Sequence, residues 1–201
     1  RARHPRVIRR VLCIDDSLAA PGLLRAGAFP SYDRILAELT RETDAFSVGY
    51  LPLTPGTDTL NAYDPLSALV RVAAAVTSST DAVVLSLGLQ AMLASQEPAV
   101  FERQLAAIAD TLAGNKRCHL LLVTPPPYPK NMERIRPFAA AIKRVADARH
   151  IPVADLFTSF QRPPTGASDP SYFEEQYLGP AAPGQRLAAL IITAVLLEKK
   201  E

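Results

Sequence analysis

Tryptophan is missing from the sequence altogether, and histidine, the side chain best suited to move a proton near neutral pH, occurs only at His4, His119 and His150. So few imidazoles leave little for a metal centre. No set of His, Cys, Asp and Glu residues has ligand spacing, and no metal is expected. Cysteine is scarcer still. Cys13 lies inside an apolar run and Cys118 opens another, so both read as buried thiols rather than a bridge or ligand pair, and they assign no compartment. No apolar stretch reaches the roughly 18 residues of a membrane span, which argues against a membrane partner. A net charge of only +2 offers no footprint for nucleic acid. No Gly-x-Gly-x-x-Gly follows an apolar run, so a dinucleotide site is excluded and no cofactor is expected. The chain starts at Arg1 without an initiator Met or an apolar signal core, and reads as a domain of a longer polypeptide.

What is present is an ordinary globular composition, 48% hydrophobic and 21% charged, with length enough at 201 residues for one core. Residues 1–201 are expected to form one domain, with residues 1–6 as a basic leader (Arg1, Arg3, His4, Arg6) that Arg9 and Arg10 continue. Apolar runs of strand length at 7–14, 45–50, 82–87, 120–124 and 151–156 alternate with helical patterns at 31–42, 64–78, 97–113, 133–149 and 185–198. In the first helix Ile35, Leu36 and Leu39 share a face; in the third, Phe101, Leu105, Ile108 and Leu112 form a stripe. Asp64-Pro65 is a good start for the second, and Pro137 belongs in the first turns of the fourth or kinks it. This alternation predicts a three-layer α/β/α fold: a doubly wound, flavodoxin-like, five-stranded parallel sheet with helices on both faces.

In such sheets ligands bind beyond the carboxyl ends of the strands. The residues there are Asp15-Asp16-Ser17, the loop around Gly56, Gly88-Leu89-Gln90 and Thr124-Pro125. Ile14-Asp15-Asp16-Ser17-Leu18 resembles the Gly-Asp-Ser-Leu block of the SGNH (GDSL-type) hydrolases. The segment 49–59, with Gly56, is similar to their second block, and Ser86-Leu87-Gly88-Leu89-Gln90-Ala91 to their Gly-x-Asn-Asp block. Pro125-Pro126-Pro127 looks like the proline-rich end of their fourth strand. The segment 172–180, with Gly184 beyond, looks like their Asp-x-x-His-Pro…Gly block. The resemblance implies that Ser17 holds the nucleophile position, that Gly56 and Gln90 stand where oxyanion donors belong, and that Gly88 lies on the same ligand rim. It also implies a rim for a small-molecule or carbohydrate ligand.

The departures from that pattern carry the functional expectation. Gln176 stands at the triad Asp position and Gly179 at the catalytic His position, while Asp15, Gln90 and Ala91 replace Gly, Asn and Asp. A serine hydroxyl is a poor nucleophile without a neighbouring base, and His119 and His150 fall at the far ends of their strands. His4 lies in the leader, on that same far side. Asp15 and Asp16 would oppose a developing oxyanion unless one is protonated or turned away. The expectation is a catalytically impaired pseudo-hydrolase with a binding or accessory role, engaging a ligand, a partner protein or a neighbouring domain. Two alternatives stay open: an active carbohydrate esterase or acyl hydrolase using Ser17 with a non-standard base, and a purely structural domain. Bland roles compete at each position: a capping hydroxyl for Ser17, turn geometry for Gly56 and Gly88, and packing for Tyr172, Phe173 and Tyr177. Glu174 and Glu175 read as solvated loop charges. Asp15-Asp16 also looks like the acidic pair of phosphoacceptor receiver domains, but the third strand ends without an Asp and no Lys follows the fifth.

Overall fold

The apolar run after the basic leader becomes β1 (Arg10–Asp15), whose Val11, Cys13 and Ile14 are buried. The computed structural model describes residues 8–16, 30–41, 46–52, 75–114, 118–173 and 179–198. In chain order the elements continue as α1 (Tyr32–Arg41), β2 (Ser47–Pro52), β3 (Ala82–Ser86), α2 (Leu89–Leu93), α3 (Pro98–Gly114), β4 (His119–Val123) and α4 (Met132–Arg149). After these come β5 (Val153–Ala154), α5 (Leu156–Ser159), the small hairpin β6 (Gln161–Arg162) and β7 (Ala167–Ser168), a 3-10 turn at Pro170–Tyr172, and α6 (Ala182–Leu197).

The five-stranded sheet is parallel in the order β2-β1-β3-β4-β5. Because order reverses at β1, right-handed crossovers send helices to opposite faces on its two sides. Accordingly α1 packs with α6, and α3 packs with α4. β3 is buried at every residue, as expected for a strand covered on both faces. The doubly wound α/β/α architecture is as the alternation of periodicities predicts.

Helix faces follow their spacing. In α3, Phe101, Leu105, Ile108 and Leu112 are buried, and Phe101 meets Phe138 of α4 edge to face at 5.4 Å. The buried stripe of α1 is Tyr32, Leu36 and Thr40, with Ile35 and Leu39 half-buried beside it. Pro137 sits in the second turn of α4 on an exposed face; Glu133, whose carbonyl it leaves unpaired, is exposed too. Between α3 and α4, Arg144 pairs with Glu102 and Arg149 with Asp110 across exposed surface.

Four expectations need correction. The fifth strand is two residues, not six, because Asp155 turns the chain into α5 by accepting the Thr158 N–H. The second helix, expected to reach 78, has given way to a turn by Ser78 and Ser79, and its start lies outside the described residues. Cys118 is half-buried at the start of β4 rather than enclosed, although burial still lifts its thiol to about 11. The stretch 158–183, to which the sequence pattern assigns no element between the fifth strand and the last helix, contains the β6–β7 hairpin and a buried aromatic group.

Candidate functional site

Strand register brings the carboxyl ends of the sheet into one row: Pro52, Asp15, Ser86, Val123 and Ala154 are successive cross-strand neighbours. The order reverses between β1 and β3, so Asp15, Asp16 and Ser86 occupy the switch point where ligands of such sheets bind. Ser17, Gly56 and Gln176 lie outside the described residues, as do Glu174, Glu175 and Tyr177.

Asp16 is the centre of what is described. It is fully buried, and its backbone N–H continues the sheet by donating to Ser86 O at 2.9 Å. Gly88 turns the chain from β3 into α2 with φ of 126°, a conformation closed to most L-residues, and donates its N–H to Asp16 Oδ2 at 3.0 Å. Asp16 Oδ1 has no hydrogen-bond partner among the described residues. Two effects compete at this carboxyl. Burial disfavours the charged form, and the amides of Gly88, Leu89 and Gln90 favour it. Burial wins, helped by the neighbouring Asp15, and the Asp16 carboxyl is pushed up to about 8. Asp16 is therefore mainly neutral at pH 7, which removes one of the two charges opposing an oxyanion.

The side-chain amide of Gln90 reaches back over the end of β1, its Nε2 donating to Asp16 O at 3.4 Å. The structure thus brings Asp15, Asp16, Gly88 and Gln90 together on the rim, but the Gly88 N–H is committed to a carboxyl of the chain itself. Gly179 is buried beside Pro180, which bridges antiparallel to Phe173 and leads into α6. Phe173 packs in turn on Tyr128 and Phe160, and Phe160 on Tyr172, so these aromatics support the segment that carries Gly179. Pro125, Pro126 and Pro127 are all buried, which makes them a lining of the rim rather than an exposed motif. His119 opens β4 and His150 caps the end of α4 in a left-handed conformation. Both sit at the amino ends of the strands, about 13 Å from the rim by strand rise.

Three features have partners that the sequence did not reveal. Thr124, after β4, donates to Asp155 Oδ1 at 3.0 Å and accepts the Phe157 N–H at 2.9 Å. Burial opposes the Asp155 charge, yet Lys143 at 2.6 Å and Thr158 hold the carboxyl below its ordinary range. Gln185, fully buried in α6, accepts the Tyr32 N–H at 2.8 Å and donates to Pro180 O at 3.4 Å, tying α1 to the segment beside Gly179. Cys13 and Tyr32, both buried, and the half-buried Tyr50 form a group with the buried Asp15 on the α1 side of β1. Burial, reinforced by the nearby carboxylates, raises all three, so the Cys13 thiol is inert.

Thr124→Val keeps the shape of the side chain but leaves the buried Phe157 N–H without its acceptor. A loss of about 1–3 kcal/mol is expected, read as a lower urea midpoint at unchanged slope.

No family model matches the chain, and no curated protein sequence matches it. Solved structures do, and they define the class: the chain has the three-layer α/β/α fold of the GDSL (SGNH) hydrolases. A lipase/acylhydrolase from Enterococcus faecalis superposes with a TM-score of 0.72 at 19% identity, over 93% of this chain and 94% of that one. An acetyl xylan esterase gives 0.70 at 18% identity, over 94% and 100%. A member of the lipolytic G-D-S-L family from Veillonella parvula gives 0.69 at 14% identity, over 95% and 100%. The likeness at these identities is one of fold. Among the described residues no helix is long and apolar enough to cross a membrane, and no group of three or more His, Cys, Asp or Glu could hold a metal ion.

Proposed function

We propose that the chain is a pseudo-hydrolase: a single domain with the scaffold of the SGNH hydrolases whose rim binds a small-molecule or carbohydrate ligand, a partner protein or a neighbouring domain without turning over an ester. The observation that carries this reading is Gly179. It occupies the position that the family resemblance assigns to the catalytic base, it has no side chain, and it is held in place by the Phe173–Pro180 bridge. General acid–base assistance is typically worth about 10²–10⁴ in rate, and glycine supplies none of it. His119 and His150 stand at the opposite end of the sheet. Gln176, at the position of the orienting acid, removes the second member of the pair.

One observation favours the second reading, an active carbohydrate esterase or acyl hydrolase in which Ser17 attacks with an unusual base. A neutral Asp16 makes the end of β1 less hostile to an oxyanion than two carboxylates would be. A fluorophosphonate serine probe separates the two. On the pseudo-hydrolase reading the well-folded protein takes no label, and Ser17→Ala leaves any background hydrolysis of a small chromogenic acetate ester unchanged. Labelling of the unmodified protein that disappears in Ser17→Ala would overturn it and assign Ser17 as an activated nucleophile. Gln176→Asp combined with Gly179→His supplies the missing pair and is expected to introduce weak esterase activity that depends on Ser17.

A further inference from the structure

Two phenol hydroxyls are shut inside the protein without a hydrogen bond. Tyr32, the first residue of α1, is fully buried, and the half-buried Tyr50 lies in β2. The hydroxyl oxygens of both are closed off from solvent, and neither has a partner among the described residues. A buried hydroxyl without a partner costs stability, and in a native fold such a group points to something bound there. The two belong to one place. Tyr50 is the cross-strand neighbour of Cys13, so the two side chains leave the same face of the sheet. Tyr32 meets the Cys13 thiol on that face, and a thiol is too weak a hydrogen-bonding group to answer a phenol. α1 returns the chain from the carboxyl end of β1 toward the amino end of β2, which puts its first residue at the rim. Cys13 and Tyr50 precede Asp15 and Pro52 of the rim row by two residues, about 7 Å of strand. The phenols therefore sit directly beneath the rim.

We propose that Tyr32 and Tyr50 form a hydroxyl-binding subsite beneath the rim, and that the ligand of the rim is a neutral polyhydroxylated molecule, a sugar or polyol, that reaches them. This rests on the reading that the rim binds a ligand, and it narrows that ligand's chemistry. Burial and the carboxyls of Asp15 and Asp33 keep both phenols protonated, so what each lacks is an acceptor. An ammonium or guanidinium group has donors only and cannot take a phenol's proton. A carboxylate or phosphate has acceptors, but it would be desolvated among the carboxyls of Asp15 and Asp33, which bear on Cys13, Tyr32 and Tyr50 alike. An apolar group would leave both phenols as they are. A hydroxyl oxygen accepts from a phenol, carries no charge and brings one proton of its own. The buried Asp15 follows Cys13 by two residues on the same face, and a carboxylate accepts from more than one donor, so that proton has a destination.

Carbon NMR of protein labelled at the tyrosine ring carbon that bears the hydroxyl tests it, with Tyr32→Phe and Tyr50→Phe assigning the two signals. Glycerol and methyl glucoside serve as neutral probes, glycerate and methyl glucuronide as their anionic counterparts. A neutral probe is expected to shift the Tyr32 and Tyr50 signals saturably, and its anionic counterpart to bind about tenfold more weakly. Each change to Phe removes one oxygen and keeps the ring, so circular dichroism should be unchanged while binding of the neutral probe weakens about fivefold. Signals that neither neutral probe moves would leave the hydroxyls to ordered water and overturn the proposal. So would an anionic probe that binds as tightly as its neutral counterpart, or binding indifferent to both Phe variants. Fluorophosphonate labelling is an independent outcome: label on Ser17 would end the pseudo-hydrolase reading and leave the subsite standing, whereas binding indifferent to both Phe variants would end the subsite and leave a ligand-binding rim.

Discussion

Gly184→Ala is expected to destabilise the protein by about 3 kcal/mol or more, the upper end of what overpacking does to a core. Gly184 lies in the first turn of α6, and a Cβ there would overlap Tyr172 O and stand 2.8 Å from Pro180 Cβ and 3.1 Å from Phe160 Cε1. A backbone carbonyl and a proline ring cannot swing aside as the end of a flexible side chain can. Tyr172 O is further pinned because it accepts the Ala181 N–H at 2.7 Å. The strain must therefore move the start of α6, and the next residue is Gln185, whose amide ties that start to Tyr32 and Pro180. Thermal melts should show the loss plainly. Gly114→Ala is the matched control: nothing lies within 4 Å of its added methyl. That change should leave stability unaltered or raise it by up to about 1 kcal/mol. A Gly184→Ala protein that melted with the wild type would mean that the first turn of α6 is not seated on Tyr172.

The second large effect concerns pH. Asp16 has an ordinary value of 3.8 and is pushed up to about 8 in the fold, first by burial and then by Asp15, against the pull of the Gly88, Leu89 and Gln90 amides. Below 3.8 the carboxyl is protonated in both folded and unfolded chains, and the full stability is present. Between 3.8 and about 8 only the folded chain keeps the proton, so stability falls as pH rises, and above about 8 that contribution is gone. At about 1.4 kcal/mol per pKa unit the whole titration is worth up to about 6 kcal/mol. Asp16→Asn retains an oxygen to accept the Gly88 N–H and has no proton to lose. The stability difference between variant and wild type, measured in urea at steps from pH 5 to pH 9, should grow in favour of the variant as pH increases. A difference that stayed constant would show that Asp16 is ionised throughout and held by the Gly88 amide.

The sheet was legible because its inner strands are apolar up to Ser86 and Thr124 at their carboxyl ends: 82–85 and 120–123 can sit only where both faces are covered. β5 was overestimated for a physical reason. Ile151-Pro152-Val153-Ala154 is as apolar as a strand, but Pro152 has no N–H to offer a ladder, and Asp155 captures the Thr158 N–H to begin a helix turn. A helix of five residues, α2, is too short to show a period, and the hairpin after α5 is two residues a side. At the rim, residue identities were legible and their environment was not. Two adjacent aspartates read as rim carboxylates that oppose an oxyanion unless one is protonated or turned away; both are buried, because β1 ends beneath the turn at Gly88. Nor could composition reveal that Gln185 serves residues as far away as Tyr32, a contact across 153 positions of sequence.

That contact also orders events while the chain is being made. α6 is synthesised after every other described element, yet it covers the sheet beside α1 and supplies the amide that accepts the Tyr32 N–H. A growing chain that has already emitted β1 to β5 therefore still exposes the apolar side of α1 and leaves a buried amide unanswered. Closure of this face waits for α6 to clear the ribosome, at about 5–20 residues per second. A stall or truncation before residue 185 leaves a sheet with one side open. In the cell, that intermediate is the form most exposed to chaperones and proteases.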